Sequence, residues 1–438
     1  MAVAALDLGA RARDPASVRF RVAHLLRVAL ALLIVAQLGR VPLLDGGKKE
    51  APLLLNDLLV MATLFVGGVV ALRNRRLVLD RTAQLALAFA AVGALSALAA
   101  IPRFGLTGFQ FVFSVAYLVR WLVYFGVYVV VVNFVRRTDV EAVWGTLEGT
   151  ILAFAGFGVF QSIFLPGFAQ MVYPDSGVYV DWDLQGHRLV STFLDPNFAG
   201  ALIVVGLLVL LARMSCGVPV ASWKLLLLFA ALFMTVSRGA VLAFATASLL
   251  IVATRGISRR MVRFAAVFVL ALIPALPRLI DFALSYNKFS VDTSAMTRVV
   301  SWVRAITILA DHPVIGIGFN TYGFVQEKYG FKILGNASFG IDGGLLFIAV
   351  MTGVVGVSLY TGMIVSVVRR CRAVWRDAAR TPADRGLCLG TAAATVALVV
   401  HSAFVNALLY PFLMEVLWVL WGLTFLVRSA PTGQAATR

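Results

Sequence analysis

The chain has 438 residues, 61% of them hydrophobic and only 13% charged, with a mean hydropathy of +0.92. That composition excludes a soluble enzyme or a disordered chain and leaves an all-α polytopic membrane protein, a single integral domain over residues 1–438. The net charge of +17 would point to nucleic acid in a soluble chain; here it is a matter of topology, and no nucleic-acid partner is expected.

Hydropathy divides the chain into about twelve transmembrane helices, at 22–39, 53–72, 83–101, 109–135, 140–165, 197–213, 221–236, 239–254, 262–281, 339–368, 387–405 and 411–427. The first follows a basic leader without a small-residue cleavage site, so it reads as a retained span and not a removed signal. With the N-terminus in the cytoplasm, Arg73, Arg75, Arg76, Arg136, Arg137, Arg255, Arg259 and the six arginines between Arg369 and Arg385 all fall on the inner side. This is the positive-inside bias, and it places both termini in the cytoplasm. Arg120, in YLVRWLVYFGVY, is a charge inside a span; it calls for pairing with Glu148 of the next span or for an anionic headgroup.

Residues 166–196 form an outer loop that carries His187 and Arg188. It closes on STFLDPNFAG, where Asp195 reads as a helix N-cap with Pro196 at the first helical position and Asn197 after it. The run from Leu225 to Thr254 holds one charge, Arg238. Thirty residues are too many for one span of roughly 20 and few for two full spans. Read as one span, the run would turn the six-arginine loop outward. A short hairpin keeps that loop inside and brings Ser237, Arg238 and Gly239 to the outer side, with Arg238 facing a cavity and not lipid.

A second outer loop, 282–339, contains TRVVSWVRAITILADHP. Val299, Val303, Ile306 and Ala310 fall on one helical stripe, and Arg298, Ser301, Trp302 and Ala305 on another. The pattern predicts a short interfacial helix near 297–311, ended by Pro313, with membrane lipids against the apolar stripe. Asp342 stands at the head of the next long span. The three cysteines, Cys216, Cys371 and Cys388, have no metal-ligand spacing and are not expected to form disulfides.

Collected at the outer face, His187, Arg188, Asn197, Arg238, Arg298, Arg304 and Asp342 make an arginine-rich set. Guanidinium groups bind phosphate and pyrophosphate bidentately and need no metal, so the set suits a lipid-linked anion, and no cofactor or metal is expected. Metal-protease, nucleophile-elbow and P-loop motifs are absent from the sequence.

In their order and separations, STFLDPNFAGALI, TVSRGAVLAF, TRVVSWVRAITILADHPVIGIGFNTY and DGGLLFIAVMTGVVG resemble the bacterial O-antigen ligases and Wzy-type O-antigen or exopolysaccharide polymerases. The resemblance covers about residues 188–360. It implies a GT-C type glycosyltransferase in the bacterial inner membrane, with its active site on the periplasmic side. The implied substrates are an undecaprenyl-pyrophosphate-linked glycan donor and acceptor, and the implied further partner is a chain-length regulator in the membrane. Ligases have a histidine and asparagine where this chain reads Asp342 and Gly343, eleven residues before Gly353; the departure counts for polymerisation. Combined with the residues, it suggests Arg238, Arg298 and Asp342 as catalytic, and Arg188, Asn197, Arg304 and His187 as substrate-binding. A ligase acting on a lipid or protein acceptor, and a transporter of lipid-linked sugars, are the alternatives.

Overall fold

The computed structural model describes residues 77–172, 187–256, 293–331 and 340–429, with a few more between 57 and 64 and residue 262. All its regular elements are helical. Ten helices organise these residues: α1 (Arg81–Phe104), α2 (Gly108–Phe134), α3 (Val140–Phe164), α4 (Pro196–Ser215), α5 (Ser222–Met234), α6 (Arg238–Arg255), α7 (Thr293–Asp311), α8 (Gly344–Trp375), α9 (Pro382–His401) and α10 (Pro411–Ser429). All but α5 and α7 are long and apolar enough to cross a membrane. The expected spans at 22–39 and 262–281, and most of 53–72, lie outside the described residues, as do 173–186 and 332–339 of the two expected outer loops. The other nine expected spans each coincide with a helix.

Local chemistry sets the helix starts. Asp80 accepts from the Ala83 amide before α1, and Thr107 and Gln110 form a reciprocal capping box before α2. Thr381 caps α9 ahead of Pro382. At α4 the expected cap is present: Asp195 Oδ1 accepts from the amides of Asn197 at 2.7 Å and Phe198 at 3.2 Å. The apolar run also divides as the hairpin reading requires. The 13-residue α5 is about 20 Å long at 1.5 Å per residue, and Ser237 caps α6, whose first residue is Arg238.

Helix α4 is apolar on every side and is the buried centre of the bundle. Its closest neighbour is α9, because Gly386 and Gly390 lie against the α4 backbone: a Cβ there would stand 2.6 Å from Arg213 Cα and 2.5 Å from Val209 Cα. Small residues four apart let two helices approach in this way inside a membrane. Trp121 and Phe125 of α2 meet Trp418 of α10 edge to face, with Trp421 behind it.

One end of the bundle is held by ion pairs that join the starts and ends of helices. Arg213 pairs with Glu141 at 2.7 Å, Arg370 with Asp80 at 2.8 Å, and Arg137 with Asp384. The expected pairing of Arg120 with Glu148 does not occur. Arg120 instead donates to Asp57, its Nε at 3.0 Å, while Glu148 takes Lys224 at 2.5 Å. Arg120 points toward the face of α2 that Asp57 covers, a relation between distant segments that sequence order does not reveal. The three cysteines are free thiols.

Helix α8 is interrupted at Gly353, with φ 68° and ψ −171°. The amides and carbonyls left open there bond to the strap that follows α7. Val354 N donates to Pro313 O at 2.7 Å and Val355 N to Val314 O at 3.3 Å, while Ile317 N and Gly318 N donate to Val350 O and Met351 O at 3.0 and 3.1 Å. Arg103 of α1 adds a bond to Gly316 O at 3.2 Å. The broken helix therefore fixes α7 against the start of α8.

Candidate active site

Opposite the ion-paired end, α4, α6, α8 and α10 begin and α3, α5 and α9 finish. The segment before α4 does not loop outward; Leu189, Val190, Phe193 and Leu194 are buried. Gln161 of α3 fastens it by accepting from the Val190 and Ser191 amides at 3.0 and 3.1 Å. Arg188 is buried too. Its Nε and Nη2 donate to Thr235 O at 3.0 Å and Val236 O at 3.3 Å, the carbonyls at the end of α5. These bonds hold the turn that delivers Arg238, in which Val236 has φ 53°, a costly conformation for a β-branched residue. Arg188 thus commits these donors to the hairpin.

Asn197 Oδ1 accepts from Ser237 Oγ at 2.9 Å, tying the start of α4 to the start of α6. His187 is exposed, with Nδ1 3.3 Å from Ser162 O. Arg238 is exposed at the α6 N-terminus, where the helix dipole adds to its positive charge.

Helix α7 carries its two stripes as read. Val299, Val303, Ile306 and Ala310 are exposed, whereas Ser301 and Ala305 are buried and Trp302 half-buried against the bundle. From that inner stripe Trp302 Nε1 donates to Asp342 O, and Arg298 Nε lies 3.6 Å from Asp342 Oδ2. The separation makes an ion pair but not a hydrogen bond, and Arg298 Nε is buried with no hydrogen-bond partner among the described residues. Arg304, two turns on, lies over the Phe331 ring at 5.1 Å; nothing brings it to Asp342.

Partial burial raises the proton affinity of the Asp342 carboxyl, although its side chain is 41% exposed. Arg298 counteracts the rise and Asp195, across the site, adds to it. Desolvation disfavours the charged carboxylate, so the group is a stronger base than an exposed aspartate.

The 402–410 segment between α9 and α10, which carried no motif, joins these parts. Gly344 N donates to Ser402 O at 2.5 Å, and a Cβ on Gly239 would lie 3.4 Å from the Phe404 ring. Tyr410 stacks on Phe198 with ring centroids 3.9 Å apart. His401, at the end of α9, is buried with neither ring nitrogen hydrogen-bonded among the described residues, within electrostatic reach of Arg298. One of only four histidines placed at the end of a span was the available signal. The described non-glycine residues with positive φ, Ser191, Leu194, Val236 and Asn320, all lie in the segments around this region, where strain of this kind accompanies function. Among the described residues no three His, Cys, Asp or Glu side chains gather as metal ligands would.

The fold and this cluster define a multi-pass helical membrane protein with an arginine and carboxylate site at one end of its bundle. Residues 223–361 match the family model described as O-Antigen ligase, Wzy_C, a stretch that runs from α5 into α8 and includes Arg238, Arg298 and Asp342. The match covers less than half of the chain, so it is a likeness of this region to the O-antigen ligase family. No curated protein matches the sequence.

Proposed function

We propose that this chain is a polysaccharide polymerase. It joins undecaprenyl-pyrophosphate-linked oligosaccharide repeat units into O-antigen, capsule or exopolysaccharide at the periplasmic face of the bacterial inner membrane. The ion-paired end of the bundle, rich in arginine at 136, 137, 213, 255, 369 and 372, is the cytoplasmic end by the positive-inside rule. The site then faces the periplasm, and the apolar stripe of α7 lies in the membrane interface. A membrane chain-length regulator is the further partner.

The observation that carries this reading is the loose pair of Arg298 and Asp342. A half-buried guanidinium, whose buried Nε has no hydrogen-bond partner among the described residues, stands 3.6 Å from a carboxylate. In the reaction, an acceptor sugar hydroxyl attacks the anomeric carbon of the donor and the carbon–oxygen bond to pyrophosphate breaks. Asp342 takes the hydroxyl proton, and undecaprenyl pyrophosphate leaves with the bonding electrons. One displacement inverts the anomeric centre. Arg238, helped by the α6 N-terminus, and Arg298 stabilise the charge that builds on the leaving oxygens. As Arg298 turns to pyrophosphate it leaves Asp342, whose basicity rises when a proton is needed. Arg188, His187 and Asn197 support the hairpin and the start of α4, and Arg304 is placed for a more distant phosphate or sugar.

Purified protein in nanodiscs, given lipid-linked repeat units and EDTA, is expected to yield a product ladder. Arg238→Ala, Arg298→Ala and Asp342→Asn should lose it, Asp342→Asn by about 10²–10⁴-fold, as for loss of a general base. An unchanged ladder in Arg298→Ala would refute the mechanism. The family description favours a second reading, ligation: single transfers to a lipid or protein acceptor with no ladder. Translocation of lipid-linked sugar without either product would instead identify a transporter.

A further inference from the structure

Among α2, the first turns of α8 and the start of α10 lies a cavity of about 240 Å³, smaller than the roughly 300–1,000 Å³ of sites for drug-sized ligands. Its volume suits one sugar ring. Its walls are largely aromatic, with Trp121, Phe198, Phe347 and Tyr410 among them, and they are interrupted by the side-chain amides of Asn320 and Asn406 and by Arg120, whose charge is paired with Asp57. Ring faces with a few amides match the two surfaces of a pyranose, whose C–H faces pack on aromatics while its hydroxyls take polar partners.

Asn406 decides between a sugar and a hydrocarbon. Its Oδ1 is buried and accepts no hydrogen bond among the described residues. Filling the cavity with lipid would leave that acceptor unsatisfied at a cost; a hydroxyl would satisfy it. Asn406 also touches the segment that carries Asp342: a Cβ on Gly340 would lie 3.1 Å from Asn406 Nδ2. Phe347, one turn into α8, forms part of the same wall. A ring in the cavity therefore lies next to residues that flank Asp342, the residue read above as the base, which is not itself in the wall.

We infer that this cavity binds the terminal monosaccharide of the acceptor glycan, stacked on the aromatic walls with a hydroxyl donated to Asn406 Oδ1. The inference rests on the glycan-transfer reading for the identity of its ligand, but binding of free sugar requires no transfer. Asn406 is a substrate-positioning residue, and it sets which acceptor hydroxyl points to Asp342.

The test is a fluorescence titration of the full chain in nanodiscs with the repeat-unit oligosaccharide freed from its lipid pyrophosphate by mild acid. Geranylgeranyl phosphate serves as the competing probe. The expected result is saturable quenching by the oligosaccharide that disappears in Trp121→Phe, with affinity at least tenfold weaker in Asn406→Leu. Asn406→Ser, which retains a small polar group, guards against a folding defect; it should bind more tightly than Asn406→Leu at an unchanged unfolding midpoint. Quenching by geranylgeranyl phosphate alone, or equal oligosaccharide affinity in wild type and Asn406→Leu, would overturn the inference. A ladder assay that fails while the free sugar still binds would refute polymerisation and leave the acceptor site standing. A ladder without sugar binding in the cavity would do the reverse.

Discussion

Replacing Gly353 by alanine tests how the site is held together. At φ 68° and ψ −171° the residue occupies backbone space essentially reserved for glycine, and a side chain there costs about 1–3 kcal/mol. The new Cβ would also stand 2.1 Å from Val314 O, 2.2 Å from Val314 C and 2.5 Å from Ile315 N. These are backbone atoms that cannot rotate away, so the strap must lift. Lifting it breaks the bonds from Val354 N to Pro313 O and from Val355 N to Val314 O, each contributing about 0.5–1.5 kcal/mol. The sum is roughly 2–6 kcal/mol, a large part of the about 5–15 kcal/mol by which folded domains are stable. Because the strap continues directly from α7, the same displacement draws Arg298 from Asp342. Denaturant unfolding of the detergent-solubilised protein measures the loss, and the ladder assay measures the consequence. The control is Gly149→Ala on α3, where a Cβ meets nothing within 4 Å; relief of the helix-glycine penalty should stabilise by up to about 1 kcal/mol. If Gly353→Ala unfolds like Gly149→Ala, the strap does not hold the site and the reasoning fails.

Three other outcomes are expected. The raised proton affinity of the Asp342 carboxyl moves the acidic limb of transfer activity upward in pH, since the base must be ionised to act; Asp195→Asn removes a negative charge that adds to the rise. The limb should move to lower pH in that variant, with α4 still capped because asparagine caps as well as aspartate; a pH–rate profile reads the shift. Arg120→Leu removes the counter-charge of the buried Asp57, which keeps its bond from the Tyr124 hydroxyl, and should destabilise by about 3–5 kcal/mol, whereas Arg120→Met with Asp57→Leu costs much less. A double-mutant cycle should find Arg120 coupled to Asp57 and not to Glu148. His401→Leu removes two buried ring nitrogens that lack partners among the described residues, so its unfolding midpoint should equal or exceed that of the wild type.

Much of this protein was written in local chemistry. A membrane span announces itself because a bilayer demands an unbroken apolar helix, and the nine expected spans within the described residues proved helical. Asp195 before Pro196, and Ser237 before Arg238, mark helix starts by bonds that reach only two or three residues, so sequence alone suffices to place them. The arginine bias likewise required the short hairpin, and the two stripes of α7 told its protein face from its apolar one.

Tertiary structure decided what depended on contacts between distant segments. Hydropathy brought Arg188, Arg238, Arg298, Arg304 and Asp342 to one level but could not rank them, since a guanidinium buried under backbone carbonyls reads the same as one facing a ligand. The fold gives Arg188 to the hairpin turn, places Arg304 over Phe331, and leaves Arg298 beside Asp342. It also replaces Glu148 by Asp57 as the partner of Arg120, and it brings His401 from the end of α9, and Asn406 from a connector with no motif, toward the site. Periodicity reports which face of a helix is apolar; which distant side chain meets that face is set only when the helices pack.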